Sequence, residues 1–476
     1  MGNEKNSKQL IKGVGIYAIG TFGTKILSFL IVPLYTYYIV TSDMGIYDIL
    51  ISTINLLTPI ITMQISDAAY RWIIRADEKS KAIYICATIQ VLLINCTLAM
   101  LLIFLTNYFY AIPYCTYFCV ILVLSRTFQT MQKLLRGLKK QWLFAISGLI
   151  YTIVFLSLNV LQLCVLKRGL ESLFQSAIAA NVVAILVIII FEPQFRINYI
   201  SRPDHKLIYE MYRYSVPLVP NYLNWWVINS SDRYIVLFAL GSSANGILAI
   251  AHKFPTMLQA VLGLFNHSWQ DQAIADTNAD IGKYYTEVFR KLYLFALPCL
   301  LFLIPTTKVI IILIMSQTYK SSCDFVAFYY LGTVFQSFAS FYGVGYLRNK
   351  QTKKAFTTSI YGAIVNATMN LCLVWFIGLQ AAAISTFLGF LVMWLVRERQ
   401  NRDELQIKVN WPEFWGCTVA AIAVSMISIV TDMKINIVLI VIGGYTFMVI
   451  NYKSVLQLGR MIIAKHRGDS SDVSVK

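Results

Sequence analysis

The sequence predicts an all-α polytopic membrane protein: about fourteen transmembrane helices, forming two parallel six-helix lobes plus two C-terminal helices. Three observations carry this expectation. Mean hydropathy is +0.63 and only 13% of residues are charged, outside the range of soluble chains. Basic residues crowd into alternate connections between apolar segments. A short glycine-containing link recurs in the first hairpin of each six-segment unit.

Each apolar segment is long enough to cross a hydrocarbon core of about 30 Å. In chain order the first unit covers roughly 12–40, 46–70, 82–105, 112–134, 142–166 and 171–191. The second covers roughly 212–240, 246–269, 286–305, 323–347, 355–377 and 379–396. A last pair covers roughly 411–430 and 435–452. The first segment is too long for a signal peptide and lacks a small-residue cleavage site. Asn6 stands where N-myristoylation wants Ser or Thr.

A net charge of +17 raises nucleic acid as a partner, but its distribution excludes one. One set of connections holds Arg71, Arg75, Lys79 and Lys81, then Lys133, Arg136, Lys139 and Lys140, and continues so to Arg397, Arg399, Arg402 and Lys408. The alternate set holds only Lys167, Arg168, Lys308, Lys320 and Lys434. This is the positive-inside asymmetry of a bacterial inner-membrane protein with both termini cytoplasmic.

Ser42-Asp43-Met44-Gly45-Ile46-Tyr47 aligns with Ser243-Ala244-Asn245-Gly246-Ile247-Leu248, each at the outer link of a unit's first hairpin. Both units start from the same side, so the repeat is parallel and its interface is the expected substrate path. The linker Glu192–Lys206 carries Pro193, Pro203 and several charges. The expected division is therefore 1–206 and 207–400 for the lobes, and 401–476 for the extra helix pair and basic tail.

Charges inside such segments are costly and usually face a cavity or a wet path. Lys25 lies midway along segment 1 and Arg126 in segment 4. Arg233 and Lys253 flank the Gly241–Gly246 hairpin, each about 10 Å deep at 1.5 Å per residue. Four such cations with few buried acids compose an anion site, and a pyrophosphate would satisfy guanidinium and ammonium alike. Asp48 and Asp67 are candidate ion-coupling carboxylates or charge partners; Asp67 and Arg71 are spaced i, i+4 for pairing, and Asp232 adjoins Arg233. Trp225 and Trp226 are candidate sugar-stacking rings.

No Walker A, HExxH, loop DxD or nucleophile elbow is present, which argues against an ATP-driven pump or an enzyme. Nine cysteines lie mostly within apolar segments without CxxC spacing and read as small packing residues. No metal or cofactor is expected.

Several stretches resemble the polysaccharide-transport (Wzx-type) flippases of the multidrug/oligosaccharidyl-lipid/polysaccharide exporter superfamily. They are the opening KGVGIYAIGTFGTKILSFLIVPLYTYYI with Gly45-Ile46-Tyr47, Asp67-Ala68-Ala69-Tyr70-Arg71, Tyr214-Ser215-Val216-Pro217-Leu218, and Ser231-Asp232-Arg233-Tyr234. Gly246-Ile247-Leu248 follows, with Leu248 where the family commonly has Tyr. The resemblance implies two six-helix lobes in a V with alternating access, and a cation-lined cavity that maps onto Lys25, Arg126, Arg233 and Lys253. It also implies a groove for a polyprenyl tail at the last two helices. The implied function is movement of undecaprenyl-pyrophosphate-linked oligosaccharide units to the outer leaflet for O-antigen, capsule or exopolysaccharide, beside glycosyltransferases and a glycan polymerase.

Two other readings are weighed. A cation-coupled drug exporter of the same superfamily should carry unpaired cavity carboxylates. A membrane polysaccharide polymerase should carry a large outer loop, and no connection here exceeds about twenty residues.

Overall fold

The computed structural model describes residues 23–74, 76–196, 204–275, 281–349 and 351–466. Among them the regular structure is helical throughout, with no strand. This follows from the solvent: in lipid a backbone must satisfy its own polar groups, and a helix does so within one segment.

Helix α1 (23–30) leads into α2 (Val32–Tyr38), where Pro33 occupies the first turn and needs no amide partner. Helices α3 (Thr41–Thr62), α4 (Ile65–Ile73), α5 (Glu78–Phe109), α6 (Cys115–Gly137), α7 (Gln141–Val160) and α8 (Glu171–Phe191) complete the first set. A short helix, α9 (His205–Ser215), packs on α4; the Asp204 carboxylate caps its first turn by accepting the Lys206 amide at 3.1 Å. The second set is α10 (Val219–Leu240), α11 (Ser242–Ala275), α12 (Ile281–Ile314), α13 (Val326–Arg348), α14 (Thr352–Ile377) and α15 (Gln380–Leu405). The final pair, α16 (Trp411–Val430) and α17 (Met433–His466), packs on α12.

Within the first set α8 packs on α6 and α7, and α4 on α5 and α6; within the second α15 packs on α13 and α14, and α11 on α13. Outward-facing leucines on α5 (Leu98, Leu101, Leu102, Leu105) and apolar residues on α17 (Val438, Val441, Ile442) stay exposed. Such continuous apolar faces belong against acyl chains, not water.

Ten described helices are long and apolar enough to cross a membrane. The chain is thus a multi-pass membrane protein. Of the other four expected spans, three form the helices α6, α10 and α13, 23, 22 and 23 residues long, which fall outside those ten. They carry inward-facing polar residues. The first expected span is described only from residue 23.

Three sequence expectations need correction. The second span is not one helix: Met63 and Gln64 adopt left-handed backbone (φ 45 and 52), and α4 restarts beyond them. Lys308 is not in a connection. It is buried in α12, where its ammonium donates to the carbonyls of Ser428, Ile429 and Thr431 at 2.5, 2.9 and 3.1 Å. A cation there satisfies carbonyls that the end of α16 leaves open. Arg397, too, is buried within α15, donating to Thr358, Ser359 and the Ala339 carbonyl.

The two helix sets meet most closely where α3 crosses α11. Gly45 lies against the Ser242 carbonyl, and Gly246 lies reciprocally against the Thr41 carbonyl. The Asn245 side chain donates to the Gly45 carbonyl at 3.0 Å. The offset that aligns Gly45 with Gly246 also aligns Thr41 with Ser242, so the crossing is two-fold in character. Only glycine permits so close a backbone approach. The same end is tied by Tyr319, whose hydroxyl donates to the Ile39 carbonyl at 3.0 Å, and by the Ser316 amide on Thr36 at 3.1 Å.

Candidate functional site

One to three turns inside this crossing, α3 faces α10. The Arg233 guanidinium donates to the Asp48 carboxylate at 2.6 Å and to the Asn229 carbonyl at 2.9 Å. Thr53 and Tyr234 share a hydrogen bond at 2.6 Å, and the Trp226 indole donates to the Ser52 carbonyl at 3.1 Å. These contacts join the two helix sets. Behind them Asp232 is buried, accepting from the Arg233 amide at 3.0 Å and from the Tyr329 hydroxyl at 2.8 Å, with His252 Nε2 at 3.1 Å. A buried carboxylate is tolerable only when so supplied with donors.

Below the crossing lie four polar cavities that share lining residues. The largest, about 540 Å³, has both Lys25 and Lys253 on its wall with Gln129, Gln132, Tyr151 and Asn181. Among the described residues neither ammonium has an ion pair or a hydrogen bond. Gln129 also lines a second cavity of about 280 Å³ that holds Arg126, Lys133 and Tyr222. Arg126 is buried and donates to the hydroxyls of Thr58 and Ser125, with no carboxylate in contact among the described residues. Thr256 joins the largest cavity to a third, about 210 Å³, walled by Arg233, His252 and Tyr329. Gln259, Thr333 and Gln336 join that one to a fourth of about 220 Å³.

The structure therefore brings Lys25 and Lys253 together, sets Arg126 in the adjoining cavity, and separates Arg233, which is engaged with Asp48. Asp67 does not pair with Arg71. It pairs with Lys133 at 2.5 Å and accepts from the Tyr222 hydroxyl at 3.3 Å, because the restart at Gln64 turns α4 toward α6. Arg71 instead lies over the Tyr214 ring, 4.8 Å from its centroid. Trp225 packs near Phe390, and Trp225 and Trp226 line none of these four cavities. Sequence reading missed Tyr329, Thr333 and Gln336 as one cavity wall. Their i, i+4, i+7 spacing on α13 was the available signal.

Two helix sets that close on each other at one end and enclose a chain of polar cavities define a membrane transporter fold. The chain belongs to the polysaccharide biosynthesis protein family, whose sequence profile matches residues 10–269. A search of curated proteins found no match. Among solved structures, the lipid II flippase MurJ in an inward closed conformation is similar with a TM-score of 0.67 at 14% identity, over 93% of this chain and 99% of that one. A multidrug resistance MATE family transporter of the MOP superfamily is similar in its inward-facing conformation, with a TM-score of 0.64 at 13% identity over 80% of this chain and 94% of that one. Its outward-facing counterpart gives 0.55 at 14%, over 83% and 96%. Identities this low speak for fold alone, and that fold is the one these flippase and transporter structures share.

Proposed function

We propose that the chain is a Wzx-type flippase, moving undecaprenyl-pyrophosphate-linked oligosaccharide units from the cytoplasmic to the outer leaflet of a bacterial inner membrane. The product would feed O-antigen, capsule or exopolysaccharide assembly, with glycosyltransferases upstream and a glycan polymerase downstream. The observation that carries this reading is the pair of ammonium groups, Lys25 and Lys253, without partners among the described residues, in the largest of the four cavities. Arg126, also without a carboxylate, stands in the adjoining one.

An ammonium is a point donor that accepts any phosphate-oxygen geometry, so two of them clasp a pyrophosphate without demanding one orientation. The charge asymmetry of the connections puts both termini in the cytoplasm and the Gly45–Gly246 crossing outside. The conformation described is then closed outward, with the cavities available to substrate from the cytoplasmic leaflet. Residues 1–206 and 207–400 act as the two lobes, and 401–476 contributes the helix pair along which the polyprenyl tail stays in lipid. Outward opening must break the Asp48–Arg233 pair and part the glycine crossing. The twelve expected spans of the two lobes rock with them.

A drug exporter of the same superfamily needs a carboxylate free to meet a cation. Asp48, Asp67 and Asp232 are each already engaged, with Arg233, Lys133 and His252 respectively. The test is a deletion strain, with surface glycan read by immunoblot and lipid-linked intermediates by mass spectrometry with leaflet accessibility. Complete units trapped on the cytoplasmic leaflet, released by the wild-type gene and not by Lys25→Ala/Lys253→Ala, are the expected result. Single units accumulating on the outer leaflet would make the protein a polymerase. Normal glycan with altered drug sensitivity would leave the exporter standing.

A further inference from the structure

The fourth cavity differs in kind from the other three, each of which has an arginine or lysine on its wall. The fourth is lined by residues including Gln259, Asn266, His267, Gln270, Ser337 and Ser340, and among the described residues no Asp, Glu, Lys or Arg contributes to its wall. Its amides are already ordered by one another. Gln259 donates to Gln336 at 2.9 Å, Gln336 donates to Asn229 at 3.2 Å, and Asn229 donates to the Trp225 carbonyl at 2.7 Å. Asn266 donates to Ser337 at 2.9 Å, which leaves its own carbonyl oxygen buried and without a partner. A buried acceptor without a donor costs on the order of 1–3 kcal/mol, so a hydroxyl or amide hydrogen brought to it is gained nearly in full.

We infer that the amide and hydroxyl track along α11 and α13 is a carbohydrate subsite, taking uncharged hydroxyl and acetamido groups of the sugar while the lysines hold the phosphates. The inference rests on the flippase reading and deepens it. Among the described residues of the fourth cavity an anion finds no counter-charge, and a cationic drug finds no carboxylate. Vicinal hydroxyls, each both donor and acceptor, match Asn and Gln side chains, which carry both functions on one rigid plane. The third and fourth cavities, near 210 and 220 Å³, each offer room for about seven waters at roughly 30 Å³ apiece, the size class of one sugar ring. Phe390 on the third cavity supplies an apolar face for a ring. The track also lies one shared residue, Thr256, away from the lysine cavity, as a sugar must lie next to its pyrophosphate.

Gly263 supplies a clean test. It lines the fourth cavity, and a Cβ added there would meet nothing within 4 Å. Gly263→Leu therefore brings apolar bulk into the subsite from a Cβ that meets no protein atom, whereas Gln336→Leu removes the central amide of the ladder. The full chain in lipid nanodiscs is titrated with two probes, undecaprenyl pyrophosphate and the same lipid carrying one N-acetylhexosamine. The wild type should bind the glycosylated probe more tightly, and each variant should lower the ratio of the two affinities about tenfold, the worth of one or two hydrogen bonds. Lys25→Ala should weaken both probes together and leave the ratio unchanged. A wild-type ratio of one, or a ratio that Gly263→Leu leaves intact, overturns the subsite while the flippase reading stands. Binding of neither probe by the wild type overturns the flippase reading and the subsite with it.

Discussion

Gly45→Ala should drive the outward side open. The added Cβ would overlap the Ser242 carbonyl, and the neighbour is backbone, so no rotamer change relieves it. Ordinary contact needs about 3.5 Å, which requires α3 and α11 to part by more than an ångström at the crossing. Overpacking of this kind costs roughly 1–3 kcal/mol, and here the cost falls on the outward-closed state alone. The closed-to-open ratio should fall by roughly 5- to 150-fold. Gly246→Ala should do the same, because its Cβ meets the Thr41 carbonyl in the reciprocal position. The assay is a distance measurement between spin labels at Val40, which is 62% exposed, and Ser243, also exposed, in a background cleared of the nine native cysteines. Either alanine should add or enrich a longer distance. Gly416→Ala, with open space around its Cβ, should change nothing. A folded Gly45→Ala protein with the wild-type distance distribution would refute the reasoning, since the crossing would then not be a closed gate.

Three further outcomes are expected. Lys25→Ala and Lys253→Ala should each weaken binding of undecaprenyl pyrophosphate in nanodiscs by roughly 10- to 150-fold, the loss of one charge-assisted hydrogen bond of about 1.5–3 kcal/mol; equal affinities in wild type and both variants would remove the anion site. Arg233→Gln should destabilise the protein by roughly 3–5 kcal/mol by stranding Asp48, and Asp48→Asn added to it should recover most of that in thermal unfolding. Strictly additive losses would mean that the pair is not coupled. Lys308→Met should lower the melting temperature and speed proteolysis of the connection after α16, because three carbonyls lose their donor at about 1–3 kcal/mol per unsatisfied group; an unchanged protein would show that water replaces the ammonium.

The helical class was legible because lipid leaves the backbone one economical solution and the hydropathy records it. The positions of the cations were legible too, since a lysine in an apolar run is conspicuous whatever it touches. Their partners were not. Asp67 and Arg71 have ideal helical spacing, yet the left-handed pair Met63-Gln64 redirects α4 and delivers Asp67 to Lys133, and nothing local in the sequence marks that break beyond Pro59. Lys308 reads as a loop residue because it follows Pro305-Thr306-Thr307, just past the expected end of its span. Only the packing of α16 on α12 shows why an ammonium is tolerated there. Trp225 and Trp226 look equivalent as aromatic faces, but Trp226 directs its indole at the Ser52 carbonyl of the other helix set, a contact that no single-helix pattern encodes.

The distribution of paired and unpaired charge also bears on where binding energy originates. Asp48, Asp67 and Asp232 each have a cationic or imidazole neighbour, and Arg233 is consumed by Asp48. Among the described residues Lys25 and Lys253 have no such partner, and they share one cavity. Holding an unpaired ammonium at membrane depth costs several kcal/mol, reduced only as far as water fills the cavity, and two side by side add mutual repulsion. On the flippase reading an entering pyrophosphate relieves both terms at once, so the empty cavity is the strained state and the occupied one is not. The same logic predicts a cost on the far side. Release requires the phosphates to leave two lysines unpaired again, so opening outward must hydrate them before the substrate departs. A gate built from backbone-to-backbone glycine contact, with the Asp48–Arg233 pair just inside it, admits that water as soon as it parts.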